Sequence, residues 1–378
     1  MAKHRKIRVS FQKNRQSKPR ERDLTRQYHQ DESAAELADR DERVRAKGNA
    51  SRKRTVQIDA ESDSLAIDES GCLRGRILMA QGLYSAVVTD DGKIHRCYIR
   101  RLLKSLQTEE RGVIATGDWV WFKPAPNDEG LIVRVEPRER TLTRGYRKRE
   151  QVIAANIDQV LIVASVLEPD LKPNLVDRYL VSAERSEIRA IVCVNKVDLA
   201  SSWRLQPLVG LYSQLGYPIL MTSAATGQGI ARLKEELRGR ETVIVGQSGV
   251  GKSSLLNALE PKLHLRVGDV SNATRKGKHT TTTAQLLRLE GEGTVVDTPG
   301  VRQFELWDLE PTEVAGYFVE FRAFLRHCRF PGCTHSHEVG CAVKEGVDAG
   351  LISAGRHESY LRILRGEPPE ATSLAADH

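Results

Sequence analysis

Four short motifs constrain this chain more than any other feature, through the order in which they occur. Asn195-Lys196-Val197-Asp198 comes first and Thr222-Ser223-Ala224 second. A glycine-rich loop, Gly246-Gln247-Ser248-Gly249-Val250-Gly251-Lys252-Ser253, follows, and Asp297-Thr298-Pro299-Gly300 comes last. The loop is a full match to G-x-x-x-x-G-K-[ST], set between an apolar run at 242–245 and a helical run at 254–259. In the usual arrangement the glycine-rich loop leads and the Asn-Lys-x-Asp element trails it. Here every part is present and the order is rotated, which predicts a circularly permuted domain.

The surrounding runs give that domain its class. Residues 160–166, 190–194, 219–222 and 243–245 are short and almost wholly apolar. Helix-like segments, including 174–186 and 230–238, separate them. Buried parallel strands alternating with helices predict a doubly wound α/β domain. The motifs then fall in loops just beyond strand carboxyl ends, where this fold places ligands. Residues 294–296 form one more strand, with Asp297 at its end.

The motif chemistry points to a guanine nucleotide with Mg²⁺. Glycines let backbone N–H groups wrap phosphates, so 246–253 together with Ser254 forms the phosphate cradle. Lys252 is placed to reach the β- and γ-phosphates and the Ser253 hydroxyl to bind Mg²⁺. A carboxylate at Asp198 can accept both N1–H and the exocyclic amine of guanine. Adenine offers neither and would leave a buried charge unpaired, which makes the discrimination strong. Asn195 ties this loop to the phosphate loop, the Lys196 stem covers the base, and Ser223-Ala224 supplies a backbone contact to the guanine oxygen. Asp297 is expected to hold Mg²⁺ through water and the Gly300 N–H to meet the γ-phosphate. The threonine run 280–283 occupies the position of a first switch segment, with Thr280 or Thr281 as a Mg²⁺ ligand.

Residues flanking this domain have their own patterns. Runs at 74–80, 83–89, 94–99, 118–123 and 131–136 alternate apolar and polar residues between turn signals. Five short strands suit an OB-fold barrel; an SH3-like barrel or a β-sandwich would give the same spacing. After Val301, residues 311–327 predict one amphipathic helix, and 342–349 and 356–364 two more. Between them, Cys328-x4-Cys333-x-His335-x5-Cys341 offers three thiolates and an imidazole, a closed set suited to structural zinc. His327 and His337 are close enough to compete as the nitrogen ligand. The other cysteines, Cys72, Cys97 and Cys193, stand singly, which fits a reduced cytoplasmic protein better than a disulfide framework.

Taken together, residues 71–364 resemble the ribosome small-subunit-dependent GTPase A family, the RsgA/YjeQ group of bacterial circularly permuted GTPases. The motifs that carry the resemblance are 195–198, 246–254, Gly277-Lys278-His279-Thr280-Thr281, 297–301 and the cysteine cluster. It implies an OB-fold, a permuted GTPase domain and a helical zinc domain, multidomain α/β plus β. It implies action late in 30S maturation, hydrolysis of GTP to GDP stimulated by the small subunit, and 16S rRNA contact. It selects His335 as the nitrogen ligand. Ras-like enzymes place a water-orienting Gln after the D-x-x-G glycine; here Val301 stands there, which implies slow unaided hydrolysis. The resemblance favours His279 as the substitute.

The expected division is a basic arm at 1–70 without folded structure, an OB-fold at 71–144, the GTPase domain at 145–304, the zinc domain at 305–366 and a loose tail at 367–378. Residues 1–26 hold ten Lys and Arg against two acids, so that stretch alone carries a net +8, equal to the charge of the whole chain. Such an arm suits a polyanion partner. No apolar run approaches a membrane span, and the expectation is a cytoplasmic monomer. The alternative is an RNA-binding protein with the same OB and zinc modules that senses GTP without turnover.

Overall fold

The computed structural model describes residues 4–10, 53–59, 70–81, 84–99, 114–146, 149–265, 284–290, 293–297 and 311–368. The chain divides into two compact units, Met1–Arg138 and Glu139–His378.

In the first unit, β1 (His4–Ser10) pairs antiparallel with β2 (Lys53–Asp59), Ile7 opposite Val56. The expectation of an arm without folded structure therefore does not hold for these two segments. Ile7-x-Val9 and Val56-x-Ile58 carry a period-two alternation that composition averaged over the arm conceals.

Strands β3 (Leu73–Gln81), β4 (Tyr84–Val88), β5 (Ile94–Ile99), β6 (Trp119–Ala125) and β7 (Glu129–Val135) form a five-stranded barrel. Their order is β3-β4-β5-β7-β6, with β6 pairing back to β3. β5 and β7 run parallel and the other pairs antiparallel. Alternation turns Ile77, Val87, Cys97, Val120, Phe122 and Ile132 inward. The interior is tight. A Cβ on Gly130 would stand 2.6 Å from Phe122 Cδ2, so the strands approach there only because that side chain is missing. The buried Asp118 carboxylate takes two bonds from Arg138, at 2.8 and 2.9 Å, and the Ala115 N–H at 2.7 Å, fixing the entry to β6.

The second unit begins with a hairpin, β8 (Thr141–Tyr146) and β9 (Arg149–Ala155). Sequence reasoning passed over it because Arg147-Lys148 carry no turn signature. The α/β layer follows as β10 (Gln159–Ser165), α1 (Pro173–Arg185), β11 (Arg189–Asn195), α2 (Gln206–Gln214), β12 (Ile219–Met221), α3 (Ile230–Leu237), β13 (Glu241–Val245), α4 (Lys252–Leu259), β14 (Gln285–Arg288) and β15 (Thr294–Asp297). Its order is β12-β11-β10-β13-β15-β14. All these pairs are parallel except β14–β15. Every residue of β10 is buried, as a strand covered on both faces requires. Leu161, Ile191, Ile244 and Val295 pack against Leu233, Leu237, Leu255 and Leu256 from the helices.

Register brings the motifs together. Ser165 is opposite Asn195, Val194 opposite Met221, Ile162 opposite Val245, and Ile244 opposite Asp297. The carboxyl ends of β11, β12, β13 and β15 thus lie at one end of the sheet.

The C-terminal segment corrects one expectation. The single helix expected over 311–327 is instead α5 (Pro311–Gly316) followed by 3-10 turns at Val319–Phe321 and Leu325–His327. The Arg322 guanidinium takes the Gly316 carbonyl at 2.9 Å, and the Tyr317 and Phe318 N–H groups turn back to Val314 and Ala315. These bonds end the helix and send Phe318 and Phe321 into one core with Val314, Val343 and Tyr360. Helices α6 (Ala342–Asp348) and α7 (Ala354–Leu364) complete the segment. Its core includes Val181 of α1. Among the described residues, no helix is long and apolar enough to cross a membrane.

Candidate functional site

The glycine-rich loop joins β13 to the first turn of α4. Gly246 has φ 147°, and a Cβ there would lie 2.2 Å from the Val163 carbonyl oxygen. The loop can cross the end of β10 only with glycine at that point. The Lys252 ammonium donates to the Gly246 and Gln247 carbonyls at 2.8 and 2.9 Å, so it lies over the loop. Burial lowers its pKa, while the charge of Asp297 opposes that shift. Asp297 is the last residue of β15, across β13 from the loop.

Asn195, the last residue of β11, is buried and bridges two loops. Its Nδ2 donates to the Val250 carbonyl at 2.9 Å, and its Oδ1 takes the Thr222 hydroxyl at 3.2 Å. Lys196 is left-handed, φ 62°, and its ammonium donates to the Glu168 carbonyl. The Val197 N–H bonds the Thr222 carbonyl at 3.2 Å. Asp198 is exposed in the short turn Val197–Leu199. Ser223 closes a turn, its N–H on the Gln228 carbonyl and its own carbonyl accepting from Gly227. Residues 195–198, 223–224, 246–254 and 297 thus share one end of the sheet. Gly277, Lys278, His279, Thr280, Thr281, Gly300 and Val301 lie outside the described residues.

Sequence reasoning missed two supports of this site. Thr222 was noted within its motif but not as the group that orients the Asn195 amide. Tyr179 was not noted at all, yet its phenol is hydrogen-bonded to the Gly246 backbone and raised above its ordinary pKa by burial. Nothing local marks Tyr179, because its partner belongs to a distant loop.

The second constellation is Cys328, Cys333, His335 and Cys341, whose ligand atoms all lie within 4.8 Å of one another. His335 Nδ1 stands 3.5 Å from Cys328 Sγ and 3.4 Å from Cys341 Sγ. His327 and His337 are exposed and are not members of this cluster. Burial pushes the Cys333 thiol up to about 12. Three sulfurs and a nitrogen at these separations are compatible with zinc. The loop is braced by Glu338, which accepts from the Thr334 N–H and hydroxyl at 2.8 and 2.6 Å. The Tyr360 hydroxyl holds the Thr334 carbonyl at 2.8 Å.

Comparison with known proteins agrees with this geometry. The RsgA GTPase family matches residues 135–307. A protein of Dickeya dadantii named small ribosomal subunit biogenesis GTPase RsgA is 42% identical over 296 residues, 77% of this chain and 83% of its own length. The chain belongs to the RsgA GTPase family. The Shewanella oneidensis protein of the same name is 41% identical over 308 residues, 80% of this chain and 85% of its own. The crystal structure of YjeQ from Thermotoga maritima aligns with TM-score 0.63 and 38% identity, covering 78% of this chain and 98% of that one. YloQ, described as a circularly permuted GTPase, aligns with TM-score 0.59 and 28% identity over 80% and 99%. This RsgA-family chain is a GTP-hydrolysing enzyme with the circularly permuted fold.

Proposed function

We propose that this chain hydrolyses GTP to GDP and phosphate on the maturing small ribosomal subunit, with the subunit stimulating turnover. The observation that carries the reading is the 2.9 Å bond from Asn195 to the Val250 carbonyl. It joins the base-recognition loop to the phosphate loop although their order in the chain is reversed. In this reading Asp198 recognises guanine, Ser223 and Ala224 present backbone to its oxygen, and Lys196 covers the ring. Residues 246–254 cradle the phosphates, and Lys252 leaves the Gly246 and Gln247 carbonyls to counter γ-phosphate charge. Ser253, Asp297 and Thr280 or Thr281 would hold Mg²⁺, which would supply charge neutralisation at the phosphates. Gly300 meets the γ-phosphate, and His279 orients the attacking water in place of a Gln.

We assign the five-stranded barrel as an OB-fold that contacts 16S rRNA. Trp119 and Trp121 alternate with the buried Val120 and Phe122 and so face outward. The Arg74 guanidinium lies 4.1 Å from the Trp119 ring centroid. Cations and aromatic faces on one surface suit RNA. The Cys328, Cys333, His335, Cys341 cluster would hold one structural zinc in a C-terminal helical domain. We assign the protein to the cytoplasm, as a monomer.

Multiple-turnover phosphate release, with and without 30S particles, tests the reading. Acceleration by 30S supports it. GTP binding without turnover under both conditions would leave the alternative, a GTP-sensing RNA-binding protein.

A further inference from the structure

Helix α1 is buried at every position from Val176 to Ala183. A helix covered all round has no solvent face in its middle and must have neighbours on both sides. The first neighbour is the phosphate loop. Val176 and Tyr179 line one narrow crevice with Gln247 and Val250, and the Tyr179 phenol oxygen takes a hydrogen bond from the Gly246 backbone. The second neighbour is the C-terminal segment. Asp177, Val181 and Glu184 follow at helical spacing on the adjoining face. The Arg356 guanidinium is 2.7 Å from Asp177 Oδ1, and the two side chains are 1% and 2% exposed. Arg356 also takes Glu320 at 2.7 Å. Val181 enters the C-terminal core, Glu184 accepts from Arg322 at 2.7 Å, and Arg178 donates to the Glu367 carbonyl.

We propose that α1 couples the phosphate loop to the C-terminal metal-binding segment, with Tyr179 as the positioning residue at the loop end and the Asp177–Arg356 pair at the other. The inference rests on the guanine-nucleotide reading of the loop. Lys252 is bonded to the carbonyl of Gly246, the same residue whose N–H meets Tyr179. A phosphate that draws Lys252 away changes the setting of Gly246, and Tyr179 feels that change directly. α1 cannot absorb it alone, because close-packed contacts on its other face tie it to α7 and the turn at Glu320. Nucleotide state therefore biases how firmly α7 is seated, and by linkage the seat of α7 biases nucleotide affinity.

Hydrogen exchange on the full chain tests this, with fluorescent GDP used first to measure binding. In the wild type, saturating GDP is expected to slow exchange in Ala354–Leu364 by at least about five-fold, the low end of ordinary coupling energies. Tyr179→Phe keeps the ring and removes the oxygen. Its GDP affinity is expected to fall by no more than about that five-fold coupling factor, and at saturating GDP it is expected to keep protection of the phosphate loop while losing the effect at Ala354–Leu364. A merely structural tyrosine would not separate those two regions. Arg356→Lys gives a second readout should Tyr179→Phe fail to fold: by reciprocity GDP affinity falls by about the same factor, and unchanged affinity overturns the coupling. GDP binding with no remote protection in the wild type, or full remote protection in Tyr179→Phe, also overturns it and leaves the nucleotide reading intact. No GDP binding at all defeats both.

Discussion

A Cβ placed on Gly251 would stand 2.3 Å from Nδ2 of Asn195, the atom that donates to the Val250 carbonyl. The asparagine amide occupies the space a side chain at Gly251 would need. Gly251 also has φ 93°, a conformation that disfavours any other residue. Gly251→Ala is therefore expected to displace Asn195 and open the junction between the two loops. Guanine nucleotide affinity should fall by about two orders of magnitude, from a lost buried hydrogen bond plus backbone strain. Calorimetric titration with GDP checks this expectation, and wild-type affinity would refute it.

Asp198→Asn is expected to exchange base preference. An amide donor no longer suits the guanine N1–H and amine but does suit the C2 carbonyl of xanthine. Competition among GTP, ATP and XTP reads the outcome. A retained GTP preference would mean that base recognition lies elsewhere.

Cys333→Ala removes a buried donor from the four-residue cluster. Metal content is expected to drop from about one zinc per chain to none, because three donors hold the ion far less well than a closed set of four. Limited proteolysis should then cut within 328–341, while GDP still binds. Emission spectrometry on the purified proteins, followed by timed digestion, decides the matter. A metal-free wild type that resists protease would count against the assignment.

Arg356 and Arg362 lie on the same helix and predict costs of very different size. Arg356→Ala leaves the buried Asp177 and Glu320 without their cation and is expected to destabilise the second unit by about 3–5 kcal/mol. Arg362→Ala removes the partner of the half-exposed Glu358 at 3.2 Å and should change stability by about 0–1 kcal/mol. Urea denaturation of the two variants side by side measures the contrast. Equal midpoints would show that the buried network contributes no more than the surface pair.

His279→Ala is expected to depress 30S-stimulated hydrolysis far more than GTP binding, since Val301 cannot orient water. Single-turnover hydrolysis on saturating 30S, alongside nucleotide affinity, supplies the comparison. An undiminished stimulated rate would remove His279 from the mechanism.

The sequence by itself determined the parts that depend on local spacing. The loop 246–253 was legible because glycines at set positions are a backbone requirement. The barrel strands and the apolar run inside β10 were legible because each pattern extends over a few residues. The three cysteines Cys328, Cys333 and Cys341 were legible because they fall within one short stretch, whereas spacing left His327, His335 and His337 open and only the family resemblance selected His335. Only the tertiary structure decided what meets across the chain. β14 runs antiparallel to β15, and no property of its four residues states a direction. The helix begun at Pro311 stops at Gly316 because Arg322 reaches back to its carbonyl. Tyr179 reads as one more apolar helix position until its phenol is seen on Gly246. Arg356 and Asp177, 179 positions apart, read as two surface charges until both are found buried together. Backbone preference acts over neighbouring residues, whereas the partner of a buried polar group is chosen by how the layers pack.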